Sequence, residues 1–186
     1  MKITKSKSAG FTLIEALITI SIAAILASIA IPSFSSMVET NRLNAAASDF
    51  LAGLIYTRSE AAKRSQTVSI CTSSNGSTCS TSLKDYAKGW IIFTDCDENG
   101  DLDTTVTTCD LDGDGTNDAD RLLRVQEEIK NISIVANKTA SKDFYSYKLS
   151  GRGTVNLTFK VGPDTATTKR NVTVALTGRA KVTTVD

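Results

Sequence analysis

The chain has 186 residues, 21 of them basic and 20 acidic, and it contains no histidine. Without histidine the commonest general base and the commonest transition-metal ligand are missing, and no Walker element or G-x-G-x-x-G turn marks a nucleotide site, so the composition argues against an enzyme. The net charge of +1 conceals a segregation. Ten carboxylates and no base lie between Asp95 and Asp120, whereas Arg121 to Asp186 holds twelve Lys and Arg against five acids. Such blocks point to a cation near the middle and a polyanion near the end.

A short leader carrying Lys2, Lys5 and Lys7 ends at Gly10, and an apolar run opens abruptly at Phe11. Phe11 to Ile31 is long enough to cross a hydrocarbon core as a helix. Glu15 is costly there: a carboxylate at membrane depth is unfavourable by about 2.5–3.5 kcal/mol, and the apolar region of a signal peptide normally carries no charge. Cutting after Gly10 would free an α-amine on Phe11. A neighbouring copy would bring that amine to Glu15, so that both charges are neutralised. The pair suits a register device better than glue, because desolvation offsets much of its attraction. A plain anchor or an ordinary signal peptide is the competing reading.

The helix is expected to continue to about Ser65, with a kink at Pro32, where the ring removes a ladder hydrogen bond. Leu43, Ala47, Phe50, Leu54, Thr57 and Ala61 recur at alternating steps of four and three, which makes one apolar stripe. Glu39, Arg42, Asp49, Arg58 and Lys63 lie largely off it. Strands are expected at Val68–Cys71, Gly89–Thr94, Leu122–Val125, Ile129–Val135, Phe144–Leu149, Thr154–Val161 and Asn171–Leu176. Ser150-Gly151-Arg152-Gly153 reads as a hairpin turn. One long helix laid across an antiparallel sheet buries both apolar faces, an α+β arrangement. The expected divisions are a leader over 1–10, a transmembrane helix over 11–31, an amphipathic helix over 32–66 and a β-rich head over 67–186.

The cysteines fall as Cys71/Cys79 and Cys96/Cys109, separated by eight and thirteen positions. In an oxidising compartment disulfides persist; four cysteines allow three pairings, among which the sequence alone does not choose, and the short polar loops favour 71–79 and 96–109. Paired C-x-x-C knuckles for zinc are absent. The acidic block contains two half-loops of a calcium pattern: Asp95, Asp97, Asn99 and Gly100, with Asp101 adjacent, and then Asp110, Asp112, Asp114 and Gly115. Position twelve is Val106 in one and Arg121 in the other, where a bidentate glutamate is expected. Two half-loops clamped by Cys96–Cys109 would share one calcium ion. A solvated acidic surface of Asx turns accounts for the same residues, and the missing twelfth ligand favours it.

Gly10-Phe11-Thr12-Leu13-Ile14-Glu15 and Pro32 together resemble the class III signal of type IV pilins and type II secretion pseudopilins. The resemblance implies the pilin fold, with a long kinked N-terminal helix on an antiparallel sheet, and makes the helix over 11–31 the filament core. It implies cleavage after Gly10 and methylation of Phe11 by a prepilin peptidase, with Glu15 and Pro32 serving assembly. Implied partners are major and minor pilins, an inner-membrane assembly platform, and the lipid bilayer before assembly. The implied location is the bacterial inner membrane with a periplasmic head, then the extracellular pilus. Arg58-Ser59-Glu60-Ala61, Gly89 to Asp95, Asn99-Gly100-Asp101 and Leu122-Leu123-Arg124-Val125 resemble the GspH/FimT group of minor pilins, which implies a role in priming assembly rather than building the bulk filament. Gly178-Arg179-Ala180-Lys181 resembles the G-R-x-R element with which FimT-type pilins hold DNA during uptake. Here lysine replaces the final arginine, which keeps the charge and loses the planar fork. Lys169 and Arg170 extend that basic stretch in sequence. A charged edge strand that discourages aggregation is the competing reading. The functional expectation is therefore a minor type IV pilin, with DNA capture and type II secretion as the alternatives.

Overall fold

The computed structural model describes residues 10–105, 110, 114–137, 143–163 and 170–185, and at position 32 the backbone only. The chain falls into two compact units, 1–41 and 42–186. One helix, α1 (Leu13–Arg64, 52 residues), contributes to both and runs without a break through position 32.

In the first unit the helix carries an almost continuous apolar surface. Phe11, Leu13, Ile14, Leu17, Ile18, Ile20, Ile22, Ile25, Leu26, Ile29, Ile31, Phe34 and Met37 are all exposed. By length and composition α1 qualifies to cross a membrane. Its hydroxyls fold back onto the helix's own carbonyls: Thr19 donates to Ala16 O at 2.9 Å, Ser21 to Leu17 O at 2.8 Å and Ser28 to Ile25 O at 2.7 Å. Such back-bonding satisfies these three hydroxyls without water, which suits an apolar medium.

In the second unit the expected stripe is the buried face of the helix. Leu43, Ala47, Phe50, Leu54, Thr57 and Ala61 all lie below 2% exposure. The strands form two four-stranded antiparallel sheets rather than a single one. The first contains β1 (Val68–Thr72), β2 (Trp90–Thr94), β3 (Leu122–Gln126) and β5 (Phe144–Tyr147), in the order β3-β2-β1-β5. The second contains β4 (Ser133–Ala136), β6 (Leu157–Gly162), β7 (Arg170–Val174) and β8 (Ala180–Thr184), in the order β4-β6-β7-β8. The turn expected after residue 149 is present, with Gly151 N–H donating to Lys148 O at 2.7 Å and Lys148 N–H to Arg152 O at 2.9 Å. It does not join two partners in one sheet. β5 pairs with β1, and the chain then crosses to β6 in the second sheet; the two arms are joined by the isolated bridge Tyr147–Gly153 and by Thr154 N–H donating to Ser146 O at 3.2 Å.

Both sheets meet the helix at Phe50. Its ring lies 5.3 Å from Trp90 of the first sheet, 4.7 Å from Phe159 of the second, and 5.2 Å from Tyr86 on the 3₁₀ turn Tyr86–Lys88. The rings meet edge-on or tilted, the geometry that aromatic quadrupoles favour. Asp85 ties that turn to β4, accepting from Ala87 N–H at 2.9 Å and Ile134 N–H at 2.7 Å. On the other face of the first sheet a smaller cluster joins Cys71, Ile91 and Phe93 to Cys79, Leu102 and Phe144. The Cys71–Cys79 disulfide pins the 72–80 loop against it.

Replacing Phe50 by alanine removes the contact shared by both sheets, and we expect it to lower the unfolding free energy by roughly 3–5 kcal/mol. Ile55→Ala, on the exposed side of the same helix, should change it by less than about 0.5 kcal/mol. Urea titration of the detergent-solubilised chain, followed by Trp90 fluorescence, measures both.

Candidate functional site

Three sets of residues carry the chemistry singled out in the sequence, and the fold keeps them distinct. The first lies at the start of α1. Thr12 N–H and its hydroxyl donate to Glu15 Oε2 at 3.0 and 2.8 Å, and Glu15 N–H donates back to Thr12 Oγ1 at 3.3 Å. This is a capping box, in which two otherwise orphaned backbone amides are satisfied reciprocally. Within a single chain Glu15 therefore already has a partner, a role the T-x-x-E spacing made legible and that the charge-pair reading overlooked. Gly10 and Phe11 precede the box in an exposed stretch.

The second set lies at the β7–β8 turn. Ala175 N–H donates to Arg179 O at 3.0 Å and Gly178 N–H to Ala175 O at 2.8 Å, with Gly178 in the left-handed region at φ +81°. A β-carbon at Gly178 would fall 1.9 Å from Gly151 O and 2.9 Å from Arg58 Nε. The two turns, around 151 and 178, thus press together, and Arg58 from α1 fastens both. Its Nε donates to Gly151 O at 2.9 Å and its Nη2 to Thr177 O at 3.3 Å. Gly153 N–H adds a bond to Leu176 O at 3.1 Å. Two residues further along α1, Glu60 is nearly buried and accepts from Arg64 Nε at 2.6 Å. Arg179 and Lys181 are exposed, on the turn and on the edge strand β8. Lys181 stands opposite Thr173, whereas Arg170 stands at the far end of the ladder opposite Thr184 and donates to Asn44 of α1 at 2.9 Å. The structure brings Arg179 and Lys181 together and sets Arg170 apart; Lys169 lies outside the described residues.

The third set is the acidic loop between β2 and β3. Asp95 is fully buried, its Oδ2 accepting from the Ser69 hydroxyl and from Gly100 N–H at 3.1 Å. Burial, reinforced by the charges of Asp120 and Asp97, pushes its pKa up to about 6 against the pull of those hydrogen bonds. Asp120 braces the loop: Oδ1 accepts from Cys96 N–H and Oδ2 from Asp103 N–H, both at 3.1 Å, and burial raises its pKa as well. Asp97 Oδ1 accepts from Asn99 N–H at 3.2 Å, and Asn99 Oδ1 from Asp101 N–H at 2.6 Å. Lys148 and the Thr67 hydroxyl donate to Glu98 and hold its carboxyl below the usual range. Further on, Asp110 accepts from the N–H groups of Asp114 at 3.2 Å and Gly115 at 2.8 Å; Asp112 lies outside the described residues. Among the described residues no three His, Cys, Asp or Glu side chains converge as a metal centre. Cys96 is disulfide-bonded; Cys109, its expected partner, lies outside the described residues.

Sequence reasoning missed the double turn under Arg58. The signals available were Arg58 itself, off the buried stripe, and two glycines more than twenty residues apart. Gly178→Ala meets both a left-handed backbone and a carbonyl oxygen, and it is expected to destabilise the chain by about 3 kcal/mol. Arg58→Ala, which only orphans two carbonyls at a partly wet site, should cost about 1–2 kcal/mol. Denaturant midpoints at constant m-value distinguish the two.

Residues 46–178 match the family model of the type II transport protein GspH. Residues 5–31 match the prokaryotic N-terminal methylation motif. No curated protein matches the chain. Two crystal forms of the type IV minor pilin FimU of Pseudomonas aeruginosa share its fold. The form in space group P21 is 20% identical with a TM-score of 0.54, over 79% of this chain and 92% of that one. The P65 form is 20% identical with a TM-score of 0.51, over 75% and 91%. At that identity the likeness is one of fold: a long N-terminal helix packed on antiparallel sheets. Matched by the family model over well more than half of its length, and preceded by a methylation motif, the chain belongs to the GspH family and is a non-enzymatic pilin or pseudopilin subunit.

Proposed function

We propose that the chain is a minor subunit of a type IV pilus that primes filament assembly near the tip. In this reading it is cut after Gly10 and methylated on Phe11. It rests in the inner membrane through residues 11–31, and its head, on the helix of 32–66 and the residues from 67 onward, faces the periplasm before entering the fibre. Major and minor pilins, a prepilin peptidase and an inner-membrane assembly platform are its partners. The observation that carries the reading is the first unit. Its apolar side chains from Phe11 to Met37 are exposed, and Glu15, in the first turn of the helix, is held by Thr12. A helix with such a surface is stable only in lipid or against other apolar helices. In the fibre the α-amine of the next subunit's Phe11 takes over from Thr12 as the neutralising group.

Arg179 and Lys181 support a second reading, capture of DNA on the outside of the filament. Two exposed cations at a turn and on an edge strand suit phosphates, and binding there is independent of base sequence.

Glu15→Ala and Glu15→Lys should both be cut normally yet enter fibres poorly. N-terminal sequencing of the membrane fraction and recovery in sheared filaments provide the two readouts; normal incorporation of both variants overturns the role of Glu15. Loss of twitching or transformation on deletion supports the pilus, and loss of exoprotein release supports a type II secretion pseudopilus instead. For DNA, Arg179→Ala should weaken gel retardation and reduce the slope of log K against log salt by about 0.9, whereas unchanged retardation removes this element from any DNA contact.

A further inference from the structure

We propose that the loop Asp95–Asp103 is a binding site for one divalent cation of calcium's size. Its ligands are the carboxylates of Asp95 and Asp97, the amide oxygen of Asn99, and main-chain carbonyls and water. Hard cations of this kind take six to eight oxygens and accept amide and carbonyl oxygens alongside carboxylates. Three converging acids are therefore not required, and the described residues do not supply them.

The observation that singles out this loop is Asp95. Among the described residues it is the only carboxylate with an oxygen that is both buried and without a hydrogen-bond partner, namely Oδ1. A buried, unpaired carboxylate oxygen is costly unless a proton or a cation meets it. Asp95 follows Ile91 and Phe93 at alternate positions, so it lies on the outer face of the first sheet, beneath the acidic loop. Ser69 and Gly100 N–H occupy Oδ2 and orient the carboxylate, leaving Oδ1 as the available ligand. The groups around it lack a compensating base. From the loop comes Asp97 and from the approach to β3 comes Asp120, on which Asp103 bears in turn. From β1 and β5 come only the hydroxyls of Ser69 and Ser146, hydrogen-bonded to each other at 2.6 Å. Among the described residues no base is paired with Asp95, and Lys148 is engaged with Glu98.

Asn99 marks where the charge is concentrated. Its Nδ2 donates to Asp97 Oδ2 at 2.8 Å and to Asp103 Oδ2 at 3.0 Å, so an amide holds two carboxylates together. Rotation of that amide would present Oδ1 to an ion in the same place. Gly100, at φ +85°, turns the chain there, and a β-carbon on it would strike the Phe144 ring at 2.4 Å. An ion would therefore fasten the loop down onto Phe93, Leu102 and Phe144. The stability of the head would then follow the calcium concentration of the compartment it enters. At the second half-loop the described carboxylates, Asp110 and Asp114, are exposed, so the orphaned oxygen favours the first.

The test uses the full chain in detergent, stripped with EDTA and titrated calorimetrically with calcium chloride. One ion per chain is expected. At calcium about a hundredfold above its Kd, the melting temperature should rise by about 5 °C. Asp97→Ala and Asn99→Ala lie on exposed positions and leave the core intact; each should weaken calcium binding at least about tenfold and reduce the thermal shift. Asp114→Ala should bind as the parent does. A flat titration with no thermal shift overturns the proposal. So does calcium binding that survives Asp97→Ala and Asn99→Ala unchanged, or that is lost with Asp114→Ala.

Discussion

The second unit depends on one constraint: two sheets that share no ladder must be joined by side chains in one core with the helix. Phe50 is where that constraint is met, since its ring touches Trp90 of one sheet, Phe159 of the other, and Tyr86 on the connecting turn. Aromatic rings bury large areas and prefer edge-on contact, so a single side chain can fix both the spacing and the angle of three neighbours. The flanking stripe from Leu43 to Ala61 then needs only to be apolar and correctly spaced. Glycine at 53 allows the helix to come close to Trp90, where a β-carbon would already stand 3.3 Å from Nε1.

A second tie operates away from the apolar core. The turns around Gly151 and Gly178 come from different parts of the chain and touch backbone to backbone. Arg58 is well suited to such a junction because its planar fork can donate in two directions at once. The consequence for function is positional. Gly178 opens the basic G-R-x-K stretch, so Arg179 is presented from a turn clamped to the helix rather than from a free loop. The family-like Arg58 and the basic terminal motif, separated by more than a hundred positions, form one structural unit.

The two units solve opposite problems. The head buries its apolar face internally. The N-terminal unit leaves its own exposed, and satisfies its hydroxyls and first amides within the helix, through the Thr12–Glu15 box and the Ser and Thr back-bonds. Between Thr12 and Ser28 these bonds leave the Glu15 charge as the polar group that a lipid or a neighbouring helix has to accommodate. In the proposed role that charge changes partners on assembly, from a hydroxyl and an amide of its own chain to an amine of the next.

Local pattern accounts for what could be read from the residues alone. The long helix, its buried stripe and the approximate positions of seven strands follow from periodicities of 3.6 and 2 over short windows, because backbone geometry decides which neighbouring side chains share a face; the methylation signal is legible as a contiguous family motif. The Cys71–Cys79 bridge is favoured by its short loop but chosen only by the fold, since four cysteines allow three pairings. The division of the strands into two sheets is not legible in any such window. Val68 to Cys71 choose Phe144 to Tyr147 as partners across more than seventy positions, and no local pattern records that choice. The same holds for Arg58 meeting Gly151 and Thr177, for Arg170 turning to Asn44 while Arg179 and Lys181 face solvent, and for Asp95 passing under its own loop while Asp97 stays exposed. Alternating Asp residues spell the same motif whether they are solvated or buried. Burial and pairing are properties of what packs against a residue, so only the tertiary structure decided them.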